Sequence, residues 1–127
     1  MLKDDYMKRM TNEMVSTLLK LIFHIEIGKN EASAFKAEEK TSKYDDLVTL
    51  INDGAINDAE NRLLEELDSQ DMEYYKLALM FYDYLNEKDS DFLEEHNFSK
   101  EEITDGLRYV SKIYGYESMA EALLGKG

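Results

Sequence analysis

One joint between two helices constrains the fold of this chain more than any other feature. Residues Leu50–Leu64 have the pattern of a helix end, a glycine stop and the first turns of a new helix. Gly54 can adopt the left-handed backbone conformation that ends helices, and Ala59 is small enough to let two helices approach closely. The chain has no Pro and keeps the 3.6-residue apolar period of helices along most of its length. The sequence therefore predicts an all-α fold built from helical hairpins.

The apolar period and the cap residues locate six helices. They are predicted to run from about Asp4 to Ile27, Glu31 to Asp53, Ile56 to Leu67, Met72 to Glu87, Ser99 to Tyr114 and Ser118 to Leu124. Gly28 and Gly115 are the expected stops of the first and fifth helices. Asp71 is a candidate N-cap, and Ser99 with Glu102 forms a capping box.

Three segments are less regular. The second predicted helix is polar in its middle and could break near Thr41–Ser42. Lys88–Phe98 is predicted to be a linker that contains at most one helical turn, at Asp91–Glu95. Residues Gly125–Gly127 are expected to be a disordered tail. The remainder is expected to form one domain, because 127 residues match the size of a single domain.

We expect five to six helices stacked as antiparallel pairs in a short right-handed array. The helix that begins at Met72 should lie at its centre, because apolar residues cover roughly 220° of its circumference. The predicted core consists of the inward positions of three helices. These are Ile56, Ala59, Leu63, Leu67, Leu77, Ala78, Phe81, Leu85, Leu107 and Val110.

Composition excludes several classes of function. The chain has no Cys, which removes disulfides, thiol catalysis and cysteine metal sites. Its net charge is −13, with −3 in residues 1–63 and −10 in residues 64–127. Such a surface repels nucleic acid and anionic membranes. No apolar run approaches the length of a membrane span and Met1–Tyr6 does not resemble a secretory signal, so a cytoplasmic location is expected.

The candidate catalytic and metal-binding residues do not form known motifs. His24 and His96 lack a carboxylate three residues earlier and a second histidine at zinc-binding spacing. Asp89-Ser90-Asp91 begins like a calcium loop, but Glu94 stands where that loop needs glycine. We therefore predict no metal, no cofactor and no enzymatic activity. Two alternatives stay open: an enzyme that uses carboxylate or tyrosine chemistry between helices, and an acidic regulator or nucleic-acid mimic that binds a basic partner.

The first helix provides the main functional hypothesis. Its apolar arc covers roughly 200°, about twice that of an ordinary surface helix. Methionines in the arc suit an adaptable binding surface. The predicted partner-binding residues are Met7, Met10, Met14, Leu18, Leu21 and Ile25. We predict a non-catalytic protein-interaction module that forms a homodimer through this helix or binds another protein.

Tyrosines provide a second candidate surface. Tyr74, Tyr75, Tyr82 and Tyr84 crowd the helix that begins at Met72. A tyrosine can bury its ring and keep its hydroxyl wet. The four side chains therefore form either a core with polar tips or a groove for a partner peptide.

Two resemblances accompany these predictions. Gly54–Ala59 resembles the Gly-x-Tyr-x-x-Ala turn of the tetratricopeptide repeat, and Gly28–Ala32 resembles a weaker copy 26 residues earlier, where that repeat has a period of about 34. Nearly the whole chain resembles a family of small uncharacterised bacterial proteins with tetratricopeptide-like folds. The matching segments are Asp5–Met10, Ala59–Leu64, Phe81–Leu85 and Asn97–Leu107. This resemblance implies a helical fold and no particular activity.

Overall fold

The computed structural model describes the backbone of residues 2–24, 35 and 38–124, and the side chains of these residues from Asp5 onward. This part of the chain contains seven α-helices and no β-strand, which confirms the all-α prediction. The helices are α1 (Leu2–Leu18), α2 (Glu38–Asn52), α3 (Ile56–Glu65), α4 (Met72–Asn86), α5 (Ser90–Glu95), α6 (Lys100–Ile113) and α7 (Glu117–Leu123). The additional helix is α5, which occupies the predicted linker. Asp89 begins it by accepting a hydrogen bond from the Phe92 N–H at 2.8 Å.

Three helices end with a left-handed residue in a Schellman motif. After α2, the Ala55 N–H donates to the Leu50 carbonyl and the Gly54 N–H donates to the Ile51 carbonyl, each at 2.9 Å. The φ angles of Gly54 and Gly115 are +89° and +88°, which confirms both predicted glycine stops. Asn97 ends α5 in the same way with φ +61°. The predicted caps are also confirmed, since Asp71 and Ser99 accept backbone N–H groups at the starts of α4 and α6.

The first two helices differ from the prediction. After α1 the chain continues as a π-helical turn, Leu19–Phe23, and this turn ends at His24 in the left-handed conformation. The helix therefore stops before the predicted end at Ile27, and both Ile27 and Gly28 lie outside the described residues. Phe35 is not helical, so α2 begins at Glu38 rather than near Glu31. It continues through Thr41–Ser42 without the break that the sequence allowed.

Helix α4 lies at the centre of the described structure, as predicted. All but three of its residues are buried, and α1, α2 and α6 pack against it. Nine of the ten predicted core residues have no exposed surface. The exception is Leu67, which is half-buried because α3 ends before it. The predicted tail, residues 125–127, lies outside the described part of the chain.

Candidate interaction surfaces

The structure divides the predicted partner-binding residues of α1 into three groups. Met14 and Leu18 have no exposed surface and belong to the core of a single chain. Met7 and Met10 are half-buried, and Leu21 is 59% exposed. The sixth residue, Ile25, lies outside the described residues. The predicted continuous seam is thus corrected: α4 and its neighbours cover its centre, so Met14 and Leu18 are not accessible to a partner.

The π-helical turn explains why Leu21 lies outside the predicted seam. A π-turn contains more residues than an α-turn, so each residue after Leu18 is rotated back from its position on an α-helical wheel. Leu21 is thereby rotated outward from the seam. Phe23 is rotated inward, where its ring contacts the Tyr75 ring edge-on at 6.1 Å between centroids. The sequence did not predict this change, because a helical wheel assumes 3.6 residues per turn throughout.

The outer face of α1 carries the remaining exposed apolar side chains of this helix. Tyr6 is 53% exposed and lies fifteen positions before Leu21, at the opposite end of the helix. Between them the exposed charged side chains are one acid, Glu13, and two bases, Arg9 and Lys20. This face is therefore less acidic than the molecule as a whole. We use the name outer face of α1 for Tyr6, Arg9 and Glu13 together with Lys20 and Leu21 of the π-turn that continues the helix.

The four tyrosines of α4 form hydrogen-bonded contacts with neighbouring helices. The hydroxyl of Tyr74 donates to the Leu63 carbonyl, and that of Tyr75 pairs with Ser111 Oγ at 2.9 Å. Tyr82 donates to Glu60, and the half-buried Tyr84 donates to Asn52 Oδ1 at 2.9 Å. The first three tyrosines are buried, so of the two alternatives the described structure has the core with polar tips and not the peptide groove.

Burial changes the acidity of these phenols. It raises the pKa of Tyr75 to about 12 and also raises the pKa values of Tyr74 and Tyr82, since the charged phenolate is poorly solvated in the core. The three groups are therefore protonated at neutral pH.

Glu60, Tyr82 and Gly106 form a contact that joins three helices. The Tyr82 hydroxyl donates to Glu60 Oε2 at 2.7 Å. A Cβ atom on Gly106 would overlap the phenol of Tyr82, so this glycine allows α6 to approach α4 closely. Burial raises the pKa of the Glu60 carboxyl, the Tyr82 bond partly offsets this, and the charge of Glu102 raises it further. This contact could not be predicted from the sequence, because its members are far apart in the chain.

Helices α3 and α6 flank α4 and run in the same direction. Asn57 at the start of α3 donates to the Asn97 carbonyl just before α6. At the other ends, the Asp68 N–H donates to the Tyr114 hydroxyl at 3.3 Å. Tyr82 lies between these two hydrogen bonds and contacts both helices. The neighbouring edges of α3 and α6 therefore border one surface above α4.

This surface combines apolar and acidic side chains. Tyr109 and Ile113 follow Glu102 and Gly106 at helical spacing, so they lie along the edge of α6 that faces α3. Leu64 follows Glu60 on α3 in the same way. Leu64 and Ile113 are half-buried, and Tyr109 is 52% exposed. We call Glu60, Leu64, Glu102, Tyr109 and Ile113 the α3–α6 face.

Two buried lysines have structural partners that the sequence did not reveal. Lys76 is 3% exposed, pairs with Glu73 at 2.9 Å and lies 5.5 Å from the ring centroid of Phe23. Lys100 donates to the carbonyls of Asn86 and Lys88 at 2.7 and 2.9 Å. These carbonyls lie at the C-terminus of α4, where a cation is favourable. Both lysines therefore stabilise the fold.

One polar cleft has a volume of about 320 Å³. Its lining residues are Asp5, Lys8, Lys88, Asp89, Ser90, Asp91 and Lys100. The lining has three acidic and three basic side chains. Each lysine has a partner. Lys8 pairs with Glu87 at 3.6 Å, Lys88 donates to Asn52 Oδ1 at 2.7 Å, and Lys100 donates to backbone carbonyls. None of the tyrosines with a raised pKa lines this cleft.

The two histidines have ordinary surroundings. His24 is exposed at the end of the π-turn. His96 is half-buried, and its Nδ1 lies 2.8 Å from the Phe92 carbonyl. A Cβ atom on Gly54 would lie 2.5 Å from the His96 ring, so the turn after α2 needs glycine for close packing as well as for its backbone angle. Within the described ranges, no three His, Asp or Glu side chains are arranged to hold a metal ion.

The fold and these surfaces define an all-α protein whose prominent exposed features are the outer face of α1 and the α3–α6 face. The chain belongs to DUF6483, a family of unknown function, whose family model matches residues 1–115. This confirms the expectation of a family without an assigned function. Comparisons with curated proteins and with solved structures found no match. Among the helices described above, none has the length and apolar character that crossing a membrane requires.

Proposed function

We propose that this protein is a non-catalytic interaction module that forms a homodimer through the outer face of α1. The observation that carries the proposal is the exposure of Leu21 and Tyr6 at the two ends of one helix. Large apolar side chains at such positions lose water contact favourably when a second surface covers them. A two-fold axis near Glu13 would place Tyr6 of one copy against Leu21 of the other, because the two residues lie at nearly equal distances from it along the chain.

Charge supports this face as the contact between two copies. A net charge of −13 makes two copies repel each other over most of their surfaces. The outer face of α1 has two exposed bases, Arg9 and Lys20, beside Glu13. The repulsion that a net charge of −13 implies is therefore weaker through this face.

The two alternatives have weaker support. An enzyme that uses carboxylate or tyrosine chemistry requires a cleft lined by a group with a shifted pKa. Tyr74 lines a cleft of about 250 Å³, but its hydroxyl is bonded to the Leu63 carbonyl. A nucleic-acid mimic requires a row of carboxylates on one face, whereas exposed acids occur on α1, α2, α3, α5, α6 and α7.

The proposal keeps two finer predictions. A cytoplasmic location is supported by the absence of Cys, because a chain without Cys forms no disulfides and so needs no oxidising compartment in which to fold. A tetratricopeptide-like arrangement is supported by the close α2–α3 pair and its glycine joint.

Analytical ultracentrifugation at micromolar concentration tests the proposal. We expect a dimer for the wild type and a monomer for Leu21→Glu, because the substitution places a charge in the proposed contact. Leu21 is mostly exposed in the single chain, so the variant should remain folded and keep the helical circular dichroism spectrum of the wild type. Tyr109→Glu is the matched control on another face and should remain dimeric. A wild type that is monomeric at all concentrations, or a dimer that survives Leu21→Glu, would refute the proposal.

A further inference from the structure

We infer that the α3–α6 face binds a lysine- or arginine-rich segment of a partner protein. This surface is distinct from the outer face of α1, so the inference does not depend on the proposed homodimer.

The first support is the apolar surface that the fold leaves accessible. Tyr109 is 52% exposed, and Leu64 and Ile113 retain part of their surface although they pack against the core. An exposed tyrosine beside half-buried aliphatic side chains is typical of an anchor for a partner. These side chains can accept the aliphatic stems of lysine or arginine as well as leucine.

The second support is the charge around that surface. Asp58 and Glu65 on α3 and Glu101 and Asp105 on α6 are exposed acids close to the face in sequence. Two bases of α6 are engaged elsewhere, since Lys100 is buried against backbone carbonyls and Arg108 pairs with Asp105 and Glu121. The exposed bases Arg62 and Lys112 also lie close to the face in sequence, but the exposed acids there outnumber them. Charge complementarity therefore selects a cationic occupant. The same acids disfavour nucleic acid, an anionic membrane and a second copy of this chain.

The third support is Glu60 itself. Its carboxylate is half-buried and accepts a hydrogen bond from the neutral Tyr82 hydroxyl. The neighbouring charge of Glu102 adds repulsion to the cost of burial. A bound ammonium or guanidinium group would offset both effects. Tyr109 can bind the same cation through the face of its ring.

Fluorescence anisotropy can test this inference with a defined probe. The probe is a fluorescein-labelled peptide of lysine and leucine at helical spacing, and its control has glutamate in place of lysine. We expect the lysine peptide to bind, the glutamate peptide not to bind, and the affinity to fall as salt screens the charges. Glu60→Gln and Tyr109→Ser should each weaken binding by about tenfold.

The matched control is Glu38→Gln, which removes one exposed charge on α2. It should change the affinity by less than about twofold. An equal loss in Glu38→Gln and Glu60→Gln would show general attraction to an acidic protein and would overturn the inference. So would the absence of binding, or equal affinity for a single-stranded oligonucleotide or anionic vesicles.

Methyl NMR locates the peptide. We expect chemical-shift changes at Leu64 and Ile113 and none at Leu21. Changes centred on Leu21 would contradict the α3–α6 face as the site. Leu21→Glu should leave peptide binding unchanged, so the failure of this inference can be distinguished from the failure of the proposed homodimer.

Discussion

Replacing Gly106 by alanine is the sharpest test of how α4 and α6 pack. In an ordinary helix interior, this change stabilises the folded state by about 1 kcal/mol. Here the new methyl group would overlap the ring and hydroxyl of Tyr82, which has no exposed surface into which to move. Overpacking of this kind costs about 1–3 kcal/mol. Displacing the phenol also removes the donor of the half-buried Glu60, which costs about 1–3 kcal/mol more.

These terms give a net destabilisation of between about 1 and 5 kcal/mol for Gly106→Ala. Urea unfolding followed by far-ultraviolet circular dichroism measures it. The control is the same substitution in Tyr82→Leu, where the shorter side chain vacates the space. In that background Gly106→Ala should stabilise the protein by about 1 kcal/mol. A stabilising effect of Gly106→Ala in the wild type would refute the close contact between α6 and Tyr82.

Three further predictions concern titration and capping. Folding raises the pKa of Glu60, so the protonated carboxyl contributes fully to stability below pH 4.5 and this contribution is lost as the pH rises through the raised pKa. Glu60→Gln should therefore raise the urea midpoint at pH 7 and leave it unchanged below pH 4.5. Tyr75 should make the wild type lose stability between pH 10 and about 12, and Tyr75→Phe should reduce this slope in alkaline urea titrations. Lys100→Met should cost about 1–3 kcal/mol in urea unfolding because two carbonyls of the α4 terminus lose their donor, whereas Lys112→Met on the exposed face of α6 should cost almost nothing.

Local signals predicted the helix ends and most of the core. Gly54, Gly115, Asp71 and Ser99 act on backbone groups a few residues away, so their roles can be inferred from neighbouring residues. The central place of α4 also followed from its own apolar arc. The helix end at Asn97 was not predicted, because asparagine ends helices less often than glycine and the sequence predicts a linker over this segment.

The candidate surfaces were harder to predict because they depend on distant contacts. The exposure of Leu21 results from the π-turn, which a regular helical period does not contain. The burial of Lys76 depends on Phe23 and Phe35, and the environment of Glu60 depends on α4 and α6. The sequence identified α1 as the helix with surplus apolar surface. It did not identify which of its side chains remain accessible.

Cysteine cross-linking between two copies tests the proposed homodimer most directly. The chain contains no Cys, so Tyr6→Cys and Leu21→Cys each introduce a single reactive site. When differently tagged copies of the two variants are mixed and oxidised, the proposed two-fold axis near Glu13 predicts that disulfides form mainly between position 6 of one copy and position 21 of the other. Predominant links between two copies of the same variant, or no link at micromolar concentration, would contradict the homodimer through the outer face of α1.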